Sequence, residues 1–305
     1  KEPALIAACK KNYVKIVTLL LSHPDIDLNK QDKQGDTALI IASRSGNIDL
    51  VKLLLDQTNT DVNKCNYEGN SALYEAIINE HKEIEALLVK HGADRVSVAK
   101  KILIGLGFEF KTESFFAEIR SQNEKTVILF LDAGMSPNQN DQSGNIPLIL
   151  TAETGWAAGI QLLMNRKSDV NLHRANDGYT ALICASRKGY SEIAALLLKD
   201  ENIEINARAN NGDIANTGDA ALMAACGENQ LGVIGALLKD KRVDVNAKNA
   251  EGETALIVTC KRNLIDTAAL LLSHPNISIN EQDKHGNTAL MITSINGNID
   301  LAKHL

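Results

Sequence analysis

Apolar residues in this chain fall into short runs that return at a fixed interval. The string Thr37-Ala38-Leu39-Ile40 recurs at 180–183 and 254–257, and Thr288-Ala289-Leu290-Met291 differs at one position. Weaker copies are Pro3-Ala4-Leu5-Ile6, Ser71-Ala72-Leu73-Tyr74, Ile146-Pro147-Leu148-Ile149 and Ala220-Ala221-Leu222-Met223. First residues lie 34 apart at 3, 37 and 71, from 146 to 180, and at 220, 254 and 288. Such a period marks a supersecondary unit that buries its apolar face only by stacking on its neighbours. Within one unit, Asp32-Lys33-Gln34-Gly35 predicts a turn. Thr37 is placed to cap a short helix over Ala38–Ser45, and Gly46-Asn47 to end it. Ile48, Leu50, Val51, Leu54 and Leu55 then line one face of a second helix, and Asp61-Val62-Asn63 leads to the next turn.

Turn, helix, turn, helix with these residues resembles the ankyrin repeat. The family pattern Asp-x-x-Gly-x-Thr-Pro-Leu-His, then Gly, Leu-Leu and Val-Asn, is matched at Asp32, Gly35, Thr37, Leu39, Gly46, Leu54, Leu55, Val62 and Asn63. Pro becomes Ala38 and Ala181 and survives at Pro147; the family His becomes Ile40, Ile183 and Ile257, exchanging a polar network for apolar packing. The resemblance implies an all-α solenoid of stacked helix-turn-helix repeats joined by hairpin-like turns. We expect one array over residues 1–305, with units opening near 3, 37, 71, 113, 146, 180, 220, 254 and 288. Irregular insertions fall near 94–112 and 210–219. Neither end carries a polar cap, so a fragment of a longer protein is expected.

Composition narrows the function. The chain is 44% apolar but 4% aromatic, so Ala and Leu carry the packing. A net charge of −6 opposes a phosphate-driven nucleic-acid binder. No apolar run reaches the length of a membrane span. Five cysteines without Cys-x-x-Cys spacing read as free thiols in a reducing, intracellular setting. Cys9, Cys226 and Cys260 share a repeat slot with Ser43, Ser186 and Ser294. Gly105-Leu106-Gly107 has Phe110 where a dinucleotide loop needs its third Gly, and no phosphate loop, zinc-helix or serine-elbow motif is present. We expect no catalytic residue, no cofactor and no metal.

In the resembling family, turn tips and the exposed ends of first helices contact partners. Here those positions give Lys33, Arg44, Tyr67, Glu68, Ile78, Arg120, Tyr179, Arg187, Lys188, Lys261 and Arg262. The helix-end cations have two readings. A cation in the last turn complements the helix dipole by roughly 0.3–1 kcal/mol; alternatively, a basic inner stripe recognises an acidic partner. A second irregularity is aromatic, because all five phenylalanines lie between Phe108 and Phe130. Phe108, Phe110, Phe115 and Phe116 accompany the first insertion, and the apolar stretch Lys100–Phe110 is expected to bury. It forms either a local core or an anchor for a partner. The polar segment Asn210–Gly218 is expected to be a projecting loop, and Trp156 to pack on the adjacent repeat. The function expected is a non-enzymatic, monomeric scaffold or adaptor that binds a protein or peptide through the concave groove. Two alternatives are the ankyrin part of a larger enzyme or of a secreted bacterial effector, and a nucleotide or nucleic-acid binder.

Overall fold

The computed structural model describes residues 2–209 and 219–305, which excludes the Asn210–Gly218 segment. Among the described residues all regular elements are helices. They group into two compact units, 1–110 with 128–135, and 111–127 with 136–305. In the first run α1 (Ala4–Lys10), α2 (Val14–Leu21), α3 (Ala38–Arg44), α4 (Ile48–Leu55), α5 (Ala72–Ile78), α6 (Lys82–Lys90) and α7 (Arg95–Gly105). Next come α8 (Thr112–Arg120) and α9 (Glu124–Asp132). The second unit continues with α10 (Pro147–Glu153), α11 (Ala157–Asn165), α12 (Ala181–Lys188), α13 (Ser191–Leu197), α14 (Ala221–Gly227), α15 (Leu231–Leu238), α16 (Ala255–Lys261), α17 (Ile265–Leu272), α18 (Ala289–Ile295) and α19 (Ile299–His304).

Each pair folds because its neighbours complete it. A seven-residue helix is too short to persist alone in water. In α3, every residue from Ala38 to Ser43 is buried. α3 packs on α1 and α5 and on its own partner α4, while α12 packs likewise on α10, α14 and α13. The Thr hydroxyls supply the predicted caps, with Thr37, Thr180 and Thr254 accepting from the N–H of Ile40, Ile183 and Ile257. Those three isoleucines are no more than 1% exposed, so the exchange of the family His for Ile does yield apolar packing.

Polar ties between repeats come instead from the Asn that closes each unit. Asn63 donates from Nδ2 to the Gly92 carbonyl (3.1 Å), and its Oδ1 accepts the Asp94 N–H (2.8 Å). Asn29, Asn171, Asn206 and Asn246 clamp the following repeat in the same two-bond manner. At the turn tips an Asx oxygen accepts two backbone N–H groups, as Asp32 does from Gln34 and Asp36. Gly35, at φ +80°, lies directly under Tyr67, with no room for a Cβ.

The first insertion departs from expectation in two ways. It contains a helix, α7, which packs on α5 where the next repeat's turn and first helix would lie. The clamp on Asn63 still engages Asp94, but Asp94 caps α7 at once through Ser97, leaving no turn. Lys101 covers the preceding turn instead, donating to the Glu68 carbonyl and to Asn70 Oδ1, both at 2.6 Å. Second, Lys100–Phe110 does not bury as a whole. Ile102 and Leu103 are buried, whereas Ile104 is 71%, Leu106 59% and Phe110 39% exposed. One face of α7 meets the core, so a run that is apolar all round leaves half its side chains outside. Trp156 is buried at 7% exposure, its ring against Gly159 of its own repeat rather than the adjacent repeat expected.

Candidate functional site

Four of the helix-end cations, Lys10, Arg44, Arg120 and Lys261, are held by acids built into the repeats. Lys10 reaches Glu2 (2.7 Å) and Asp32 (2.8 Å), and Arg44 reaches Asp36 (2.6 Å) and Glu75 (2.9 Å). Arg120 pairs with Asp141 (3.2 Å), and Lys261 with Glu253 and Asp283 (3.4 Å). Hydrogen bonds from Glu75 first, then Asp36, push the Arg44 pKa further up. These contacts staple a helix end to its own turn and to the next repeat. The dipole reading placed the cations correctly but omitted the carboxylates that hold them.

The remaining sequence candidates separate. In the first unit Lys33, Tyr67 and Glu68 stand exposed on adjacent turns, Tyr67 at 73%, and Ile78 ends α5 at 51% exposure. The aromatic segment also divides. Phe115 and Phe116 are fully buried and meet edge to face at 5.8 Å. Phe108 is half-buried against Phe130, and Phe110 stacks on the same ring at 6.2 Å with Lys100 Nζ 5.1 Å from its centroid.

In the second unit three candidates converge. Tyr179, Arg187 and Lys188 line a groove of about 580 Å³ together with Glu153, Arg174, Asp177, Cys184, Glu228 and Gln230. The turn before α12 supplies Arg174, Asp177 and Tyr179; α12 supplies Cys184, Arg187 and Lys188; the turn after α14 supplies Glu228 and Gln230. Two guanidinium groups lie near the Tyr179 ring, with Arg174 Cζ 5.8 Å and Arg187 Cζ 5.4 Å from its centroid. Both lie at cation–π range, worth about 0.5–1 kcal/mol each at exposed sites. Arg187 Nη1 also donates to the Tyr179 hydroxyl. Arg174 is held by Asp177 (2.5 Å) and Glu153 (2.7 Å), which keep its pKa above the usual arginine value. Burial first, then Glu153, push the Cys184 thiol up, so it is no activated nucleophile. The groove therefore offers a rigid aromatic face and an oriented guanidinium, the elements of recognition.

Arg174 and its acids were missed from sequence, although a signal exists. Three residues beyond the clamp Asn stand Asp32, Asn66, Asp141, Asn249 and Asp283; beyond Asn171 stands Arg174. Asn171 to Thr180 is nine residues, against eight from Asn63 to Ser71. The longer turn keeps its closing bond, Arg174 N–H to Tyr179 O at 2.9 Å.

Among the described residues no three His, Cys, Asp or Glu side chains converge as a metal would require, and no helix is long and apolar enough to cross a membrane. The family model for ankyrin repeats (3 copies) matches residues 2–98, 115–209 and 222–305. An ankyrin repeat-containing protein of Treponema pallidum is 32% identical over 118 residues, 39% of each chain. One from Schizosaccharomyces pombe is 33% identical over 89 residues, 29% of this chain and 41% of that protein. The chain thus spans about two fifths of the length of these curated relatives. Among solved structures, the complex of a predatory endopeptidase from Bdellovibrio bacteriovorus with an immunity protein contains a similar chain. It has TM-score 0.53 and 25% identity, covering 62% of this chain and 95% of that one. The repeat period, the capped helix pairs and these matches agree, and the chain belongs to the ankyrin repeat family.

Proposed function

We propose that this chain is a non-enzymatic scaffold or adaptor whose second unit holds a protein or peptide partner in the groove around Tyr179. Ankyrin repeats are a general protein-interaction fold. One observation carries the local assignment: an aromatic ring within cation–π range of two arginines, all three lining one groove, where Tyr and Arg are the side chains that most often dominate interface energetics. The surface is preformed, so little ordering entropy opposes binding. The five free cysteines, four of them buried, support a reducing, intracellular setting. The test is affinity capture with the full-length protein and mass spectrometry, then binding of the purified partner to wild type and to Tyr179→Ala. A loss of at least tenfold is expected, and unchanged affinity would move the site elsewhere.

A second reading, the ankyrin part of a larger enzyme or secreted effector, draws on longer relatives. An ankyrin repeat and SAM domain protein of rat and alpha-latrotoxin-Lh1a of Latrodectus hasselti each match over 8% of their own length. A catalytic domain encoded in frame with this chain would support it.

A further inference from the structure

We propose that Arg187 is the docking point for a carboxylate side chain of an acidic peptide partner. The inference rests on the protein-binding reading above and gives its groove a ligand class.

Three of the four stapled cations share a spacing rule, whereas Arg120 has Thr112 eight back and takes Asp141 twenty-one residues on. Lys10 takes Glu2 eight residues back and Asp32 twenty-two residues on; Lys261 takes Glu253 and Asp283 by the same steps. Arg44 takes Asp36 eight back and finds its second acid in Glu75. At Arg187 both steps fail, because eight back stands Tyr179 and twenty-two on stands Ala209. Ala209 occupies the turn slot of Asp32, since its N–H bonds the Asp219 carbonyl as that of Asp32 bonds Asp36. Among the described residues, the carboxylate nearest Arg187 is Glu228 at 3.8 Å, and Arg262 reaches the same oxygen at 3.8 Å. Neither contact has hydrogen-bond length. Lys188 lines the same groove, and Arg187 and Arg262 share this one loosely held acid.

The guanidinium is also oriented. Nη1 donates to the Tyr179 hydroxyl and Cζ lies 5.4 Å from the ring centroid, while 45% of the side chain stays exposed. A planar two-oxygen acceptor matches that fork bidentately. The other repeats show which group completes a cation at this place: a carboxylate. Among the described residues the chain supplies a ring in one slot and a methyl group in the other, and the acid we assign to this place is the partner's. Glu228 is then an internal competitor that the incoming carboxylate displaces.

The test is an NMR titration of the full chain with the blocked peptides Ac-(Gly-Glu)3-NH2 and Ac-(Gly-Gln)3-NH2, read at the Arg187 Nε–H signal where Arg187 is present and at the Tyr179 backbone amide in every variant. The Glu peptide should bind at least about tenfold tighter than the Gln peptide, and Arg187→Gln should remove about tenfold of that affinity. Glu228→Gln should tighten binding severalfold. Glu251→Gln, which removes the same charge beside Lys284 (3.9 Å), should not. Equal affinities for wild type and Arg187→Gln overturn the proposal, as does an equal gain from both Gln variants. Inorganic phosphate binding the same signal more tightly than the Glu peptide overturns it in favour of a phosphoryl ligand. A purified partner that is lost on Tyr179→Ala but indifferent to Arg187→Gln and Glu228→Gln removes this inference while leaving the protein-binding reading in place.

Discussion

Replacing Asn63 by Asp changes one NH₂ group into an oxygen, yet it should loosen the third repeat measurably. Asn63 bridges two repeats with one donor and one acceptor, at 3.1 Å to Gly92 O and 2.8 Å from Asp94 N. Asn63→Ala deletes both bonds. At about 0.5–1.5 kcal/mol each, and with water able to reach this exposed side chain, the cost should be about 1–2 kcal/mol. Asn63→Asp keeps the acceptor but sets a charged oxygen against the Gly92 carbonyl. It does so beside Asp61, whose Oδ1 already accepts the residue-63 N–H at 3.0 Å. At neutral pH the penalty should reach about 2–3 kcal/mol, larger than for Ala despite the smaller change in shape. The sign with pH follows. The introduced carboxyl is stabilised in the fold when protonated, because its O–H can donate to Gly92 O. Its folded pKa therefore rises above the unfolded value of about 3.9. The penalty is complete above the folded pKa and is lost as pH falls through it towards the unfolded value. Urea unfolding of wild type and both variants at pH 7 and pH 4.5 measures it, with hydrogen exchange at the Asp94 amide as the local readout. If Asn63→Asp is no worse than Asn63→Ala at pH 7, or its penalty does not shrink with acid, the clamp is not the source of inter-repeat stability.

Ser43 and Ser186 are fully buried with hydroxyls that find no partner, in a slot where three other repeats carry Cys. Ser186→Cys and Ser43→Ala should each raise stability by about 1 kcal/mol, checked by denaturant midpoint at constant m-value. Lys167 adopts φ +61° in a slot that other repeats give to Gly92 and Gly134. Relief of about 1–2 kcal/mol of left-handed strain, less the extra chain entropy of glycine, predicts a net gain of about 0.5–1 kcal/mol for Lys167→Gly, seen as a higher melting temperature. Burial opposes ionisation of Asp283, but bonds from Asn287, the His285 N–H and Lys261 prevail and bring its pKa down to about 2. It therefore contributes about 2 kcal/mol above pH 4 that is lost as pH falls through about 2. Asp283→Asn should flatten the stability of the protein over that interval, and an unchanged acid limb would refute the assignment.

Much of this architecture can be read in the chain. The period places the helix pairs, Thr and Gly mark their ends, and the recurring Asn marks the seams. The pairing of cations was equally present, since Glu2/Lys10, Asp36/Arg44 and Glu253/Lys261 all stand eight apart. Eight residues is more than two helical turns, so a search of helix neighbours at three and four residues passes over it; the pair closes because the acid precedes the helix and the cation ends it. Arg174 was hidden by register. Counted back from Thr180 it falls outside the turn, whereas counted on from Asn171 it sits in the Asx slot. Two features were beyond local pattern. α7 replaces a turn only because Asp94, held by Asn63, is also a good helix cap, and the exposure of Phe110 depends on which face of that helix the core accepts.

The stapling also decides where an acidic partner can land. A chain of net charge −6 repels a negative peptide at long range, and at most helix ends the cations that could attract it already hold two carboxylates or one at hydrogen-bond distance. On the reading proposed above, an acidic peptide is drawn to Arg187, where Tyr179 and Ala209 stand in the slots that hold acids around Lys10 and Lys261. The long-range repulsion and the short-range contact respond differently to salt. Repulsion between charges farther apart than about 8 Å is screened at physiological ionic strength, while a desolvated bidentate pair is screened far less. Recognition of this kind should hold nearly constant as salt rises, unlike binding to a diffuse basic surface, which weakens steadily. Ion-pair geometry inside the repeats, rather than the number of arginines on their surface, sets both the site and its salt response.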